Sequence, residues 1–181
     1  MENFIKITEE ILEKEENYEN YLIKKVKSQL IGDRCDFDVC MMEAIIDCES
    51  PIEQLLAIEM ERVGLKNINL YNPYIDIIDI EKQIDIKCGK NKYRVDFQIP
   101  VIYKNQENIM FVIECDGYEF HQKTKQQVEY DNKRQRDLQE AGYEIIKFSG
   151  TEIWHRPYRC ACEIKNIILS RCKYIKGDNY E

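Results

Sequence analysis

The chain has 181 residues, enough for one domain with a proper core. Its formal net charge of −8 weighs against indiscriminate nucleic-acid binding over the whole surface, but leaves room for a local basic patch. No apolar run approaches the length of a bilayer span, and the opening M-E-N-F-I-K-I-T-E-E is acidic and broken by polar residues, unlike a signal peptide, so a cytoplasmic address without membrane contact is expected. The eight cysteines, Cys35, Cys40, Cys48, Cys88, Cys115, Cys160, Cys162 and Cys172, include no C-x-x-C pair; free thiols are expected.

In chain order, Phe4, Ile7, Ile11, Tyr18, Leu22 and Val26 recur at helical spacing, which predicts an amphipathic helix over 1–30, stopped at Gly32. It reads as an added arm packing on the domain or as a homodimer or assembly contact. Residues 33–49 read as a short helix or loop. Ser50 and Pro51 open a clearer helix, Ser50 as N-cap and Pro51 at the first helical position, with Glu53 as the acid of a capping box. The apolar positions Ile52, Leu55, Leu56, Ile58, Met60 and Val63 carry it to Gly64.

Extended segments follow at 75–80, 83–87 and 93–101, with a turn at 88–91. In the last segment Tyr93, Val95, Phe97 and Ile99 alternate with Arg94, Asp96 and Gln98, which sets Asp96 mid-strand, away from the core side chains. Pro100 is expected to end regular pairing, and 104–108 to form a polar hairpin turn. The chain is organised around the stretch that comes next, M-F-V-I-E-C-D-G-Y-E-F-H at 110–121. Four apolar residues of a strand over 109–114 run into Glu114 and Asp116, which point to one side of an extended chain. Ionised carboxylates are costly to desolvate without a cation, so the pair reads as a divalent-metal site. The plainer alternative is an edge strand leaving through a solvated turn at Asp116 and Gly117.

A helix over 124–141 stops at Gly142, with Asp131 and Arg134 spaced to pair on its polar face. A buried strand at 144–148, a turn at 149–151, a helix at 158–174 and a tail complete the chain. Basic residues group at Lys123, Lys125, Lys133, Arg134 and Arg136, and again at Arg156, Arg159, Lys165, Arg171, Lys173 and Lys176; solvated helix faces and phosphate contacts both account for them. The fold class expected is α/β, a mixed central sheet flanked by helices with an extra N-terminal helix. Asp96 and Glu114 fall on partner strands of one hairpin, and Glu53 on the helix before it. Carboxylates gathered this way suit Mg²⁺, which takes oxygen ligands and keeps waters.

The acids stand in the order of the PD-(D/E)XK nucleases, the restriction-endonuclease-like fold, and residues 50 to about 160 resemble that superfamily. More closely, 83–150 resembles a family of small bacterial proteins related to the very-short-patch repair endonucleases. The likeness is carried by Y-R-V-D-F at 93–97, V-I-E-C-D-G at 112–117, H-Q-K-T-K at 121–125, Y-D-N-K-R-Q-R-D-L at 130–138 and G-Y-E-I-I-K-F-S-G-T-E-I at 142–153, with Glu53 in S-P-I-E-Q-L-L at the helix-acid position. The resemblance implies an endonuclease-like domain over 46–176, with a helical extension at 1–45 and a tail at 177–181. It implies a metal-dependent DNA endonuclease or nickase acting in repair or defence, with Asp96 and Glu114 as ligands of Mg²⁺, or Mn²⁺ in its place, and Glu53 and Asp116 assisting. Lys133, Arg134 and Arg136 would contact DNA phosphates. Asp116 stands where the superfamily has a catalytic lysine, a departure shared by related E-x-D-G proteins, and His121 or Lys125 would take over its role. Two other readings stay open: a non-catalytic nucleic-acid-binding module, and a protein-interaction subunit.

Overall fold

The computed structural model describes residues 43–103, 108–116 and 124–174. The helix expected at 1–30, nearly all of the turn at 104–108, His121, Lys123 and the tail lie outside them.

Helix α1 (Pro51–Arg62) starts where Ser50, in an extended conformation, accepts the Glu53 N–H on its hydroxyl at 3.3 Å. It ends in a Schellman turn: Gly64 takes φ +66, which a side chain resists, while Leu65 N–H reaches the Met60 carbonyl and Gly64 N–H that of Glu61. Five strands follow, β1 (Ile75–Ile77), β2 (Glu81–Cys88), β3 (Asn91–Tyr103), β4 (Ile109–Asp116) and, after helix α2 (Lys125–Glu140), β5 (Tyr143–Ser149). The sheet order is β1-β3-β4-β5, with β2 also paired to β3. All pairings are antiparallel except β4 with β5, whose parallel register requires the crossover that α2 supplies. This is the mixed α/β sheet flanked by helices that the sequence predicts.

Pro100 does not end the pairing. It faces Met110 of β4, and β3 runs on to Tyr103 opposite Ile75. The reason lies on the other edge of β3, which β2 covers up to Gln98 and β1 covers from Val101. Pro100 falls in the gap between them, where no ladder donor is needed from it. The turn expected at 149–151 is also replaced. Ser149 and Glu152 form a reciprocal capping box that starts a short helix, α3 (Gly150–His155), ahead of the last helix, α4 (Pro157–Tyr174).

Helices α1, α3 and α4 pack on one another and on one side of the sheet. Their cluster includes Leu55, Leu56, Ile58, Phe97, Ile99, Phe111, Ile113, Ile164 and Ile168, all fully buried. A smaller cluster on the α2 side joins Ile86, Tyr93, Val95, Val112 and Leu138. Val95 and Phe97, two apart on β3, thus belong to different clusters, although a regular pleat would send them to one face. The change falls at Asp96. No described helix is long and apolar enough to cross a membrane.

Candidate active site

The hairpin opens at Asp96. Phe97 and Ile113 form the last backbone pair between β3 and β4, so Asp96 and Glu114 come next. There the Cys115 N–H donates to Asp96 Oδ2 at 2.6 Å, while β4 keeps its ladder with β5 through Asp116 and Ser149. Burial pushes the Asp96 carboxyl up to about 7. The Cys115 bond opposes this rise, neighbouring Glu114 and Glu53 add to it, and Arg134 tempers it.

Glu114 is buried and paired. Arg134 reaches in from α2 and donates to both of its oxygens, at 2.7 and 2.8 Å, and to the Arg94 carbonyl at 2.5 Å. This two-pronged bond is the geometry for which a guanidinium is built. Helical spacing alone predicts Asp131 as the partner of Arg134; in the fold its guanidinium spans to a strand twenty residues back.

Glu53 is also buried, and both of its carboxylate oxygens are hydrogen-bonded. Oε1 accepts from the Ser50 hydroxyl at 2.6 Å; Oε2 accepts from the Glu49 N–H and from Gln83 Nε2, each at 2.8 Å. The capping box is therefore modified, its acid reaching one residue past the cap, because Gln83 of β2 holds the same oxygen. Gln83 itself sits at φ +53, a left-handed conformation that costs a side-chain-bearing residue about 1–2 kcal/mol. Both ends of its amide are used, since Oε1 accepts from Arg94 Nε at 2.8 Å. Arg94 in turn donates to the Glu49 carboxylate. A continuous chain of bonds thus runs Glu53–Gln83–Arg94–Arg134–Glu114 around Asp96. Sequence reasoning missed Gln83 and Arg94: neither residue type announces a left-handed backbone or a link between acids.

The structure brings Glu53, Asp96 and Glu114 together with Arg134. Asp116 is half-buried at the end of β4. Lys125, first residue of α2, is exposed, as are Lys133 and Arg136 on the same helix. Three of the C-terminal basic residues have intramolecular partners: Arg159 pairs with Glu163, Arg171 with Glu144, and Lys165 donates to the Val63 carbonyl at 2.6 Å while lying over the Tyr71 ring. Six described cysteines are free thiols, as expected. Cys48 and Cys115 lie beside the acids, and burial pushes the Cys48 thiol up to about 12 and that of Cys115 well above its usual value, so neither is a thiolate nucleophile at neutral pH.

Among the described residues, no group of three or more His, Cys, Asp and Glu side chains is arranged as a metal cage. The donor chemistry still fits Mg²⁺. Asp96 and Glu114 are hard oxygen donors whose mutual repulsion a cation relieves, and Mg²⁺ is commonly held by one or two carboxylates, with waters and substrate oxygens completing its shell.

Carboxylates from a helix and two strands, drawn to the point where a mixed sheet opens, mark a restriction-endonuclease-like protein. The family model REase_MTES_1575 matches residues 74–168, more than half of the chain, and the chain belongs to that restriction-endonuclease-like family. No curated protein and no solved structure matches it, so the narrower likeness to very-short-patch repair endonucleases stands on the sequence motifs alone.

Proposed function

We propose that the chain is a metal-dependent DNA endonuclease or nickase. The observation that carries this reading is Asp96 with Glu53 and Glu114 as neighbours, its carboxyl pushed up to about 7 chiefly by burial and further by those two acids. Membership of a restriction-endonuclease-like family supports it. Asp96 and Glu114 would hold Mg²⁺ or Mn²⁺, with Glu53 and Asp116 alongside. A divalent ion there supplies Lewis-acid polarisation of the phosphate and a bound water of lowered pKa. The protein's own part is to fix the carboxylates: Ser50 and Gln83 orient Glu53, the Cys115 N–H orients Asp96, and Arg134 orients Glu114. Lys125 and His121 are the candidates for proton transfer and for steadying charge on the phosphate. Hydrolysis forms a P–O bond to the water oxygen and breaks the ester P–O bond, the leaving oxygen taking a proton.

One observation favours a second reading, a nucleic-acid-binding module without catalysis: both Glu114 oxygens already have Arg134 as partner. Calorimetric titration of Mg²⁺ and Mn²⁺ into wild type and Asp96→Asn, followed by cleavage assays on duplex, nicked and branched DNA, separates the two. Ion binding and ion-dependent cleavage in wild type, both abolished in the variant, are expected. DNA binding with neither ion uptake nor cleavage establishes the module instead.

A further inference from the structure

We propose that Arg94 is the cation that meets the substrate phosphate at this site, and that Gln83 is the positioning residue that holds it beside the acids. This rests on the nuclease reading. Arg134 is the cation nearest the acids, but its side chain is only 16% exposed and both Glu114 oxygens occupy it. The Arg94 side chain is 52% exposed. It lies two residues before Asp96, and its backbone carbonyl is the group that Arg134 anchors. A guanidinium has five N–H donors in a planar fork. Arg94 gives one to Gln83 Oε1 and one to the Glu49 carboxylate, leaving donors on a half-exposed head at the rim of the site.

Gln83 is suited to this task by residue type. One amide donates to Glu53 and accepts from Arg94, so a single side chain sets the spacing between a site acid and the site cation. A glutamate there has no donor for Glu53, and a lysine no acceptor for Arg94. The left-handed backbone at this position marks the same demand: the strand gives up regular geometry to aim the amide. Glu49, with 59% of its side chain exposed, is the anion that Arg94 holds without DNA. A docked phosphate, also an anion that accepts a two-pronged bond, exchanges for it.

The test measures binding of a fluorescent DNA duplex to the full chain across a salt series, in an Asp96→Asn background so that no cleavage intervenes. Arg94→Gln is expected to reduce the slope of log affinity against log salt by about 1, the share of a single phosphate. Gln83→Leu is expected to weaken binding while keeping most of the slope, because the charge stays but is no longer aimed. Glu49→Gln is expected to tighten binding more when Arg94 is present than in the Arg94→Gln background, where only a repelling charge is removed. An unchanged slope in Arg94→Gln overturns the inference and leaves the nuclease reading standing. So does a fall of one unit of slope in Lys147→Gln instead, since Lys147 is exposed on β5 at the position paired with Glu114. A parent that binds no DNA overturns the inference, and if wild type with Mg²⁺ binds none either, the nuclease reading falls with it.

Discussion

Asp96 is held out of water beside two other acids, and the fold must bear the cost of ionising it. Its carboxyl rises from 3.8 to about 7 on folding, so the folded state binds this proton more tightly than the unfolded chain does. The stabilisation from that proton is complete below about pH 3.8 and is lost as pH rises through about 7. The difference corresponds to roughly 4 kcal/mol. Asparagine keeps an acceptor for the Cys115 N–H and carries no charge. Asp96→Asn should therefore melt near wild type at acid pH and several degrees above it at pH 8. Mg²⁺ at pH 8 should close that gap by stabilising wild type alone. Melting curves at the two pH values check this; a gap that does not change with pH would mean that Asp96 ionises without penalty.

Between elements, α2 is fastened to the sheet by the buried ion pair of Arg134 with Glu114. Leu138 is its buried residue, and Asp137 accepts from Asn91 at 2.8 Å and the Tyr93 hydroxyl at 2.5 Å. Arg134→Met leaves Glu114 buried and unpaired, a loss of roughly 3–5 kcal/mol. Arg171→Gln breaks an exposed pair with Glu144 and should cost less than about 1 kcal/mol. Urea unfolding midpoints compare the two, and similar losses would show that the buried pair is not what fastens α2. Much at this scale was legible in the sequence. Ser50 with Pro51, Thr124 and the glycines Gly64 and Gly142 bound α1 and α2, since caps are local chemistry. The alternation around Asp96 and the two-residue spacing of Glu114 and Asp116 placed the acids on strands for the same reason. The start of α3 carries its own S-G-T-E capping signal, which outweighs the turn signal of Ser149 and Gly150. What stayed illegible depends on distant partners. Pro100 fits mid-strand only because β1 and β2 divide one edge, and Arg134 turns to Glu114 because the crossover lays α2 beside β4. Gln83 takes φ +53, and the two side chains that its amide bonds meet it only after folding.

Over the whole molecule, a net charge of −8 and the acids at the site both repel DNA, so the proposed nuclease requires the charge of a bound ion to enter the affinity for nucleic acid. Ion and DNA then promote each other's binding by the same factor, since a coupling free energy is reciprocal. Coupling of the usual size, about 1–3 kcal/mol, makes DNA binding roughly 5–150-fold tighter in saturating Mg²⁺ than in chelator at matched ionic strength. A duplex with non-hydrolysable linkages allows both conditions to be measured at equilibrium. Asp96→Asn should show little of this gain, and its affinity in chelator should exceed that of wild type because one repelling charge is gone. Asp96→Asn is a cleaner probe than Glu114→Gln, which would strand the Arg134 guanidinium as well as removing a proposed ligand. Equal DNA affinity with and without the ion, in a wild type that still takes up Mg²⁺, would mean that ion and phosphate do not share a site, and the acids would then have to be assigned to a role other than hydrolysis.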